Sequence, residues 1–248
     1  MTEYALFSEK GLRSVNQDAV LAASRDDHAL LVVADGMGGH SFGEVASAAI
    51  IKAVNDWWVT AYDKEPFPSL DEAILKCRKA ILKVNDDLLG EYSDKGQIVG
   101  STVVLLLLWE GEYAAISVGD SHIYRQTFFG LEAITEDDIW ENMPEVRMSM
   151  SEEQIMQDPR YGKLTAAVGP SAELEPHIIR GKLKRRETFL LCSDGVYKFC
   201  PVKELARIMR SRGTVKERAE KIRRCAYDHA TRDNYSAVLC AYKKTEKS

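Results

Sequence analysis

The stretch from Leu30 to Ser47, LLVVADGMGGHSFGEVAS, places the tightest constraint on the fold. Ala29 to Ala34 is a continuous apolar run that reads as a buried strand. It ends in Asp35-Gly36-Met37-Gly38-Gly39-His40, and a helical pattern begins at once. Glycine permits positive φ and close backbone approach to a ligand. A single Asp-Gly pair is explained by a tight turn with a capping carboxylate. Here the pair recurs in a matching setting, TFLLCSDG from Thr188 to Gly195. Two apolar strands that each end in Asp-Gly predict two carboxylates delivered to one site.

The remaining pattern falls into runs. Glu3 to Phe7 and Val20 to Ala23 read as strands. Val45, Ala46, Ala49, Ile50, Ala53, Val54, Trp57 and Trp58 form one stripe on a helix from about Gly43 to Ala61, with the tryptophans in core and rim packing. Pro66 and Pro68 interrupt, and Ser69 with Glu72 is a capping-box pattern that opens a second helix carrying Ile74, Cys77, Ile81, Val84 and Leu88. Gly100 to Trp109 and Glu112 to Val118 form a hairpin about Glu110-Gly111, continued by His122 to Arg125 and Leu131 to Ile134. Ile139 to Lys163 is polar, Met-rich and poorly periodic, a long surface loop holding a short helix. Strands at His177 to Ile179 and Thr188 to Cys192, helices near Val202 to Arg210 and Val215 to Ala230, and a last strand at Tyr235 to Tyr242 complete the chain. Segregated runs of strands and helices predict the α+β class. Two antiparallel sheets packed face to face, with a helical layer on each side, would bury every stripe in one domain spanning residues 1–248.

Composition excludes several classes. The formal net charge is −5, against the basic surplus of a nucleic-acid binder. No apolar stretch reaches the length of a membrane span, and the N-terminus lacks a signal-peptide pattern. Five cysteines without a CxxC pair fit a reducing, cytoplasmic setting in which they act as small core residues.

Five aspartates stand beside glycine or asparagine at strand ends or turns: Asp18, Asp35, Asp120, Asp194 and Asp233. Carboxylate sites of this kind suit Mg²⁺ or Mn²⁺. With GLRSVNQD at 11–18, VADGMGGH at 33–40, GST at 100–102, VGDS at 118–121, LLCSDG at 190–195 and DNYS at 233–236, nearly the whole chain resembles the PPM-type (PP2C-like) metal-dependent serine/threonine protein phosphatases of the compact bacterial kind.

The resemblance implies roles residue by residue. Asp35 would bridge two Mn²⁺ or Mg²⁺ ions, and the Gly36 carbonyl would help bind one of them. Asp194 and Asp233 would complete the other ion's shell, with Asp18 beside the site. Asp120, with Asp194, matches the positions that hold a third, looser ion. Arg13 falls where the family binds substrate phosphate, which suits a planar guanidinium. His40 falls at the position of a general acid. Two adjacent ions would turn a shared water into a hydroxide that attacks phosphorus in phosphoserine or phosphothreonine. The implied partners are phosphoproteins and a cognate serine/threonine kinase, with no nucleic acid or membrane, and the implied state is a monomer. Thr135 to Ile139 and Leu164 to Gly169 depart from the family pattern on either side of the family's flap, 139–163, which puts substrate choice in question.

Other readings fit less well. A C-x5-R cysteine phosphatase is excluded because Cys200–Arg207 and Cys225–Arg232 have the wrong spacing. Gly119 to His122 lacks the rest of a calcineurin-like signature. A pseudophosphatase that keeps the fold as a binding module would be expected to lack metal carboxylates. A stress-type phosphatase dedicated to one small partner usually carries a sensory domain. His122, two residues after Asp120, is a further candidate for touching the site; His28, His177 and His229 carry no motif.

Overall fold

Alternating side-chain direction along a strand explains why the apolar runs are continuous. In the computed structural model, which describes residues 2–38, 42–64 and 69–244, strand β3 (His28–Gly38) follows β1 (Thr2–Glu9) and β2 (Asp18–Arg25). Leu30, Val32 and Ala34 of β3 face one core, while Ala29, Leu31 and Val33 face another. Both faces of the strand are covered, so every residue from Ala29 to Ala34 is apolar and fully buried.

Helices α1 (Gly43–Lys64) and α2 (Leu70–Tyr92) form the first outer layer. Ala46, Ile50, Val54 and Trp58 of α1, with Ile74, Cys77, Ile81, Val84 and Leu88 of α2, pack on one sheet as the stripes predict. Ser69 caps α2 by accepting the Glu72 N–H at 3.2 Å. The Pro66–Pro68 interruption lies outside the described residues. That sheet runs β2-β3-β5-β6-β9, with β4 (Val99–Ser101) paired to β3. Its further members are β5 (Val103–Trp109), β6 (Glu112–Val118) and β9 (His177–Lys182), while β7 (His122–Gln126) and β8 (Leu131–Ala133) belong to the second sheet.

The flap differs from the expected loop. It contains a 3₁₀ turn at Trp140–Asn142 and two helices, α3 (Pro144–Ser149) and α4 (Glu152–Gln157). Trp140 and Val146 are buried, and the Arg160 guanidinium lies 4.2 Å from the Trp140 ring centroid. Its ends are tied at Ile139–Leu164 and by the Trp140 N–H to the Lys163 carbonyl at 2.9 Å.

The second sheet, β1-β11-β10-β7-β8, includes β10 (Arg186–Cys192) and β11 (Tyr235–Lys243). Its outer layer comprises α5 (Asp194–Tyr197), α6 (Val202–Arg210) and α7 (Val215–Asp228). The sheets meet through Leu31, Val33, Leu106, Leu108, Phe189, Leu191 and Val238. The result is the α/β/β/α sandwich expected from the sequence. All five cysteines are buried and free, and no helix among the described residues is long and apolar enough to cross a membrane.

Candidate active site

Strand register brings the aspartates to one end of the sandwich. Asp18 opens β2 and Asp35 lies near the end of β3, where the two are direct cross-strand partners. At the same end of the second sheet, Cys192 near the end of β10 pairs with Ala237 near the start of β11, and Glu9 at the end of β1 pairs with Tyr235. Asp194 follows β10, Asp233 precedes β11, and Asp120 follows β6.

One of the short motifs, Gly100-Ser101-Thr102, holds Asp35 by its backbone through three hydrogen bonds. Its N–H donates to Thr102 Oγ1 at 3.2 Å, and its carbonyl accepts the Thr102 N–H at 2.9 Å and Ser101 Oγ at 3.0 Å. Thr102 Oγ1 in turn lies 2.8 Å from Ser121 Oγ, next to Asp120. The glycines after the aspartates serve close approach between loops. A Cβ on Gly36 would stand 2.1 Å from the Gly43 carbonyl oxygen and 2.6 Å from that of Gln17; one on Gly195 would stand 2.0 Å from the Asn234 carbonyl oxygen. Neither glycine has positive φ. The requirement is therefore space for a neighbouring backbone rather than a left-handed conformation.

Asn234 is the other organiser. Its side chain accepts the Gln17 N–H at 2.9 Å and donates to the Lys10 and Val15 carbonyls at 2.7 and 2.9 Å. It thereby fastens the loop that carries Arg13. The Arg13 guanidinium pairs with Asp233 Oδ2 at 2.7 Å and is otherwise exposed at the rim.

The electrostatics are those of excess negative charge. Burial first, then Asp18, Asp194, Asp120 and Asp233 in turn, push the Asp35 carboxyl well above the usual carboxylate range. Burial likewise raises Asp18, and Asp194 adds to it, with hydrogen bonds from Ser236 and Ser193 opposing the shift. Asp18 Oδ2 accepts Ser193 Oγ at 2.8 Å, but its buried Oδ1 has no hydrogen-bond partner. Facing like charges across an antiparallel pair destabilise a sheet, and an unpaired buried carboxylate oxygen is costly. An all-oxygen donor set with an orphaned oxygen and uncompensated charge fits a hard divalent cation. The carboxylates do not form a closed shell: among the described residues only Glu204, Cys225 and His229, away on α6 and α7, bring three His, Cys or carboxylate ligand atoms within 4.8 Å of one another.

Comparison with known proteins agrees with this geometry. A sequence profile of the protein phosphatase 2C family matches residues 10–232. The chain belongs to that family. It is 27% identical over 226 residues to the serine/threonine phosphatase Stp of Listeria monocytogenes, covering 90% of this chain and 88% of Stp. It is 31% identical over 201 residues to PstP of Mycobacterium tuberculosis, covering 78% of this chain and 36% of that longer relative. The solved catalytic domain of PstP in complex with two manganese ions superposes with a TM-score of 0.80 at 26% identity, over 98% of this chain and 99% of that one. The chain is thus a metal-dependent serine/threonine protein phosphatase, and its substrates are phosphoproteins.

Within this phosphatase the structure gathers Asp18, Asp35, Asp120, Asp194, Asp233 and Arg13 at one place. Gly36 is there through its backbone, and His40 lies outside the described residues. Sequence reading missed Lys198. Its Nζ lies 2.8 Å from Asp194 Oδ2 and 3.1 Å from Asp120 Oδ2. Tyr197 Oη also donates to Asp120 Oδ2, at 3.3 Å. His122 bonds none of the five clustered aspartates through either ring nitrogen. It stacks on Tyr197 at 3.8 Å and is held at 2.7 Å by both Tyr124 Oη and Asp137. Asp138, in the departing stretch before the flap, accepts the Gly119 N–H at 2.8 Å and pairs with His177 at 2.8 Å. The stretch expected to govern substrate choice is thus also fastened to the Asp120 turn. The spacing of Lys198 four residues after Asp194, one helical turn, was the only sequence signal for it.

Proposed function

We propose that this phosphatase acts at the Asp35 cluster with two divalent ions, Mn²⁺ or Mg²⁺, and opposes a serine/threonine kinase. The buried, partnerless Asp18 Oδ1 beside Asp35 supports this reading, because a buried carboxylate oxygen without a protein donor can be satisfied by a cation. Asp35 would be shared by both ions, the Gly36 carbonyl would serve one, and Asp194 and Asp233 would serve the other, with Asp18 alongside. Bound ions would lower the pKa of a coordinated water toward neutrality and neutralise charge on the phosphoryl oxygens. Arg13, exposed at the rim, would exchange Asp233 for two phosphate oxygens and orient the ester. His40 would give a proton to the departing serine or threonine oxygen. Met148 and Met156, exposed on the flap, offer adaptable contacts to a protein substrate. The buried free cysteines support a reducing, cytoplasmic setting, and the shared inter-sheet core supports one catalytic domain.

The test is turnover of a phosphothreonine peptide and of p-nitrophenyl phosphate with Mn²⁺, then with excess chelator. Activity should stop on chelation and in Asp35→Asn. His40→Ala should slow the peptide more than the nitrophenyl ester, whose leaving group needs no proton. Full activity in chelator would remove the mechanism, and equal losses on both substrates would remove the role of His40.

A further inference from the structure

The point between Asp120 and Asp194 is already occupied by a cation from the chain itself. Lys198 Nζ contacts Oδ2 of both carboxylates, at 3.1 and 2.8 Å. An ion bridging the same two oxygens would sit about 2.0–2.6 Å from each. That position overlaps the ammonium and repels it, so the two occupants are mutually exclusive. We propose that Lys198 replaces the third, looser ion, and that this phosphatase holds its Asp120 corner with a covalently supplied charge. The proposal rests on the Asp35 cluster being the metal site.

Several features make this a built position. Lys198 lies one turn after Asp194, directly behind α5, so the short helix presents its ammonium to the carboxylate that begins it. Asp120 is buried and its Oδ2 also accepts Tyr197 Oη, leaving that oxygen with two donors from the protein. The Tyr197 ring is fixed by its stack on His122. The Asp120 turn continues to the flap through the Gly119–Asp138 hydrogen bond. A tethered charge at this corner would hold the turn, and with it the flap root, in the same arrangement at any metal concentration.

Mn²⁺ stoichiometry measured by calorimetric titration of metal-stripped protein separates the two occupants. Lys198→Gln keeps most of the side-chain stem and removes the charge; it should bind one more Mn²⁺ per chain than the parent. Asp120→Asn should leave the parent's count unchanged and abolish the extra ion when combined with Lys198→Gln. Circular dichroism melts check that each variant is folded, and Lys198→Met stands in if Lys198→Gln is not. Equal counts for the parent and folded Lys198→Gln and Lys198→Met variants would overturn the proposal. So would loss of one ion from Asp120→Asn alone. Should the parent bind no Mn²⁺, the metal-site reading fails and the proposal falls with it.

Discussion

Replacing Gly195 with alanine tests whether the Asp-Gly pairs exist to let loops touch. The perturbation is one methyl group. Its carbon would stand 2.0 Å from the Asn234 carbonyl oxygen, 2.9 Å from the carbonyl carbon and 3.0 Å from Tyr235 Cβ. Ordinary contact begins at 3.4 Å, so 3.4 less 2.0 leaves about 1.4 Å to be recovered by backbone movement. No flexible side chain can absorb it, because the nearest atoms are main chain. Either the start of α5 moves, taking Asp194, or the start of β11 moves, taking Asp233 and Asn234. In the second case the Arg13 loop follows, since Asn234 holds it.

Overpacking of this kind costs about 1–3 kcal/mol, which for a domain of this size is a melting shift of roughly 2–12 °C. The functional loss should be larger, because misplacing a catalytic group by about 1 Å can lower turnover on the order of 100-fold. The assay is steady-state hydrolysis of p-nitrophenyl phosphate at saturating Mn²⁺, paired with thermal melts in chelator. Gly90→Ala is the control: Gly90 is exposed on α2, and a Cβ there meets nothing within 4 Å. That change should stabilise the protein by about 0.5–1 kcal/mol and leave turnover alone. If Gly195→Ala retained parental turnover and melting temperature, the claim that backbone contact positions the carboxylates would be wrong.

The remaining predictions concern the frame. Asn234→Ala removes three hydrogen bonds from a buried side chain and should cost about 1–3 kcal/mol while raising KM through the loosened Arg13 loop, read by kinetics and melts. Arg125→Ala strands Glu187, whose side chain is 2% exposed and bonded at 2.6 and 2.9 Å, and should cost about 3–5 kcal/mol with activity per folded molecule intact. In chelated protein the raised pKa of Asp18, pushed up to about 6, means the folded state holds its proton more tightly than the unfolded state. That stabilisation is full below the unfolded value near 3.8 and is lost as pH rises through about 6, so Asp18→Asn should flatten the fall in melting temperature over this window.

What the sequence made legible follows from how locally each feature is encoded. The β3 strand was readable because both faces need apolar residues, and α2 because Ser69, Glu72 and one stripe lie within a single element. The aspartate set was readable through its glycine and asparagine neighbours. The flap's short helical character is legible, but its second helix is not, because α3 and α4 are six residues each and bury only Val146 between them, too little to make a periodic stripe. The glycines' purpose was only half visible: close approach was expected toward a ligand, whereas the atoms approached belong to Gln17, Gly43 and Asn234. Lys198 was hidden because its second partner, Asp120, is 78 residues away in the chain.

The carboxylate cluster is therefore not what holds this end of the sandwich together. Asp18 and Asp35 face each other across β2 and β3, each disfavoured in its charged form. Such a pair persists only if the strands bearing it are fixed by something else. The fixing groups are polar but neutral: Thr102, Ser101 and Ser121 around Asp35, Ser193 beneath Asp18, and Asn234 behind both loops. None of them needs an ion to form its hydrogen bonds. The frame can consequently assemble without metal, and a cation bound there as proposed would offset the repulsion between the carboxylates. Binding at that site would draw on pre-positioned oxygens at little reorganisation cost, which is the arrangement that catalysis by electrostatic stabilisation requires.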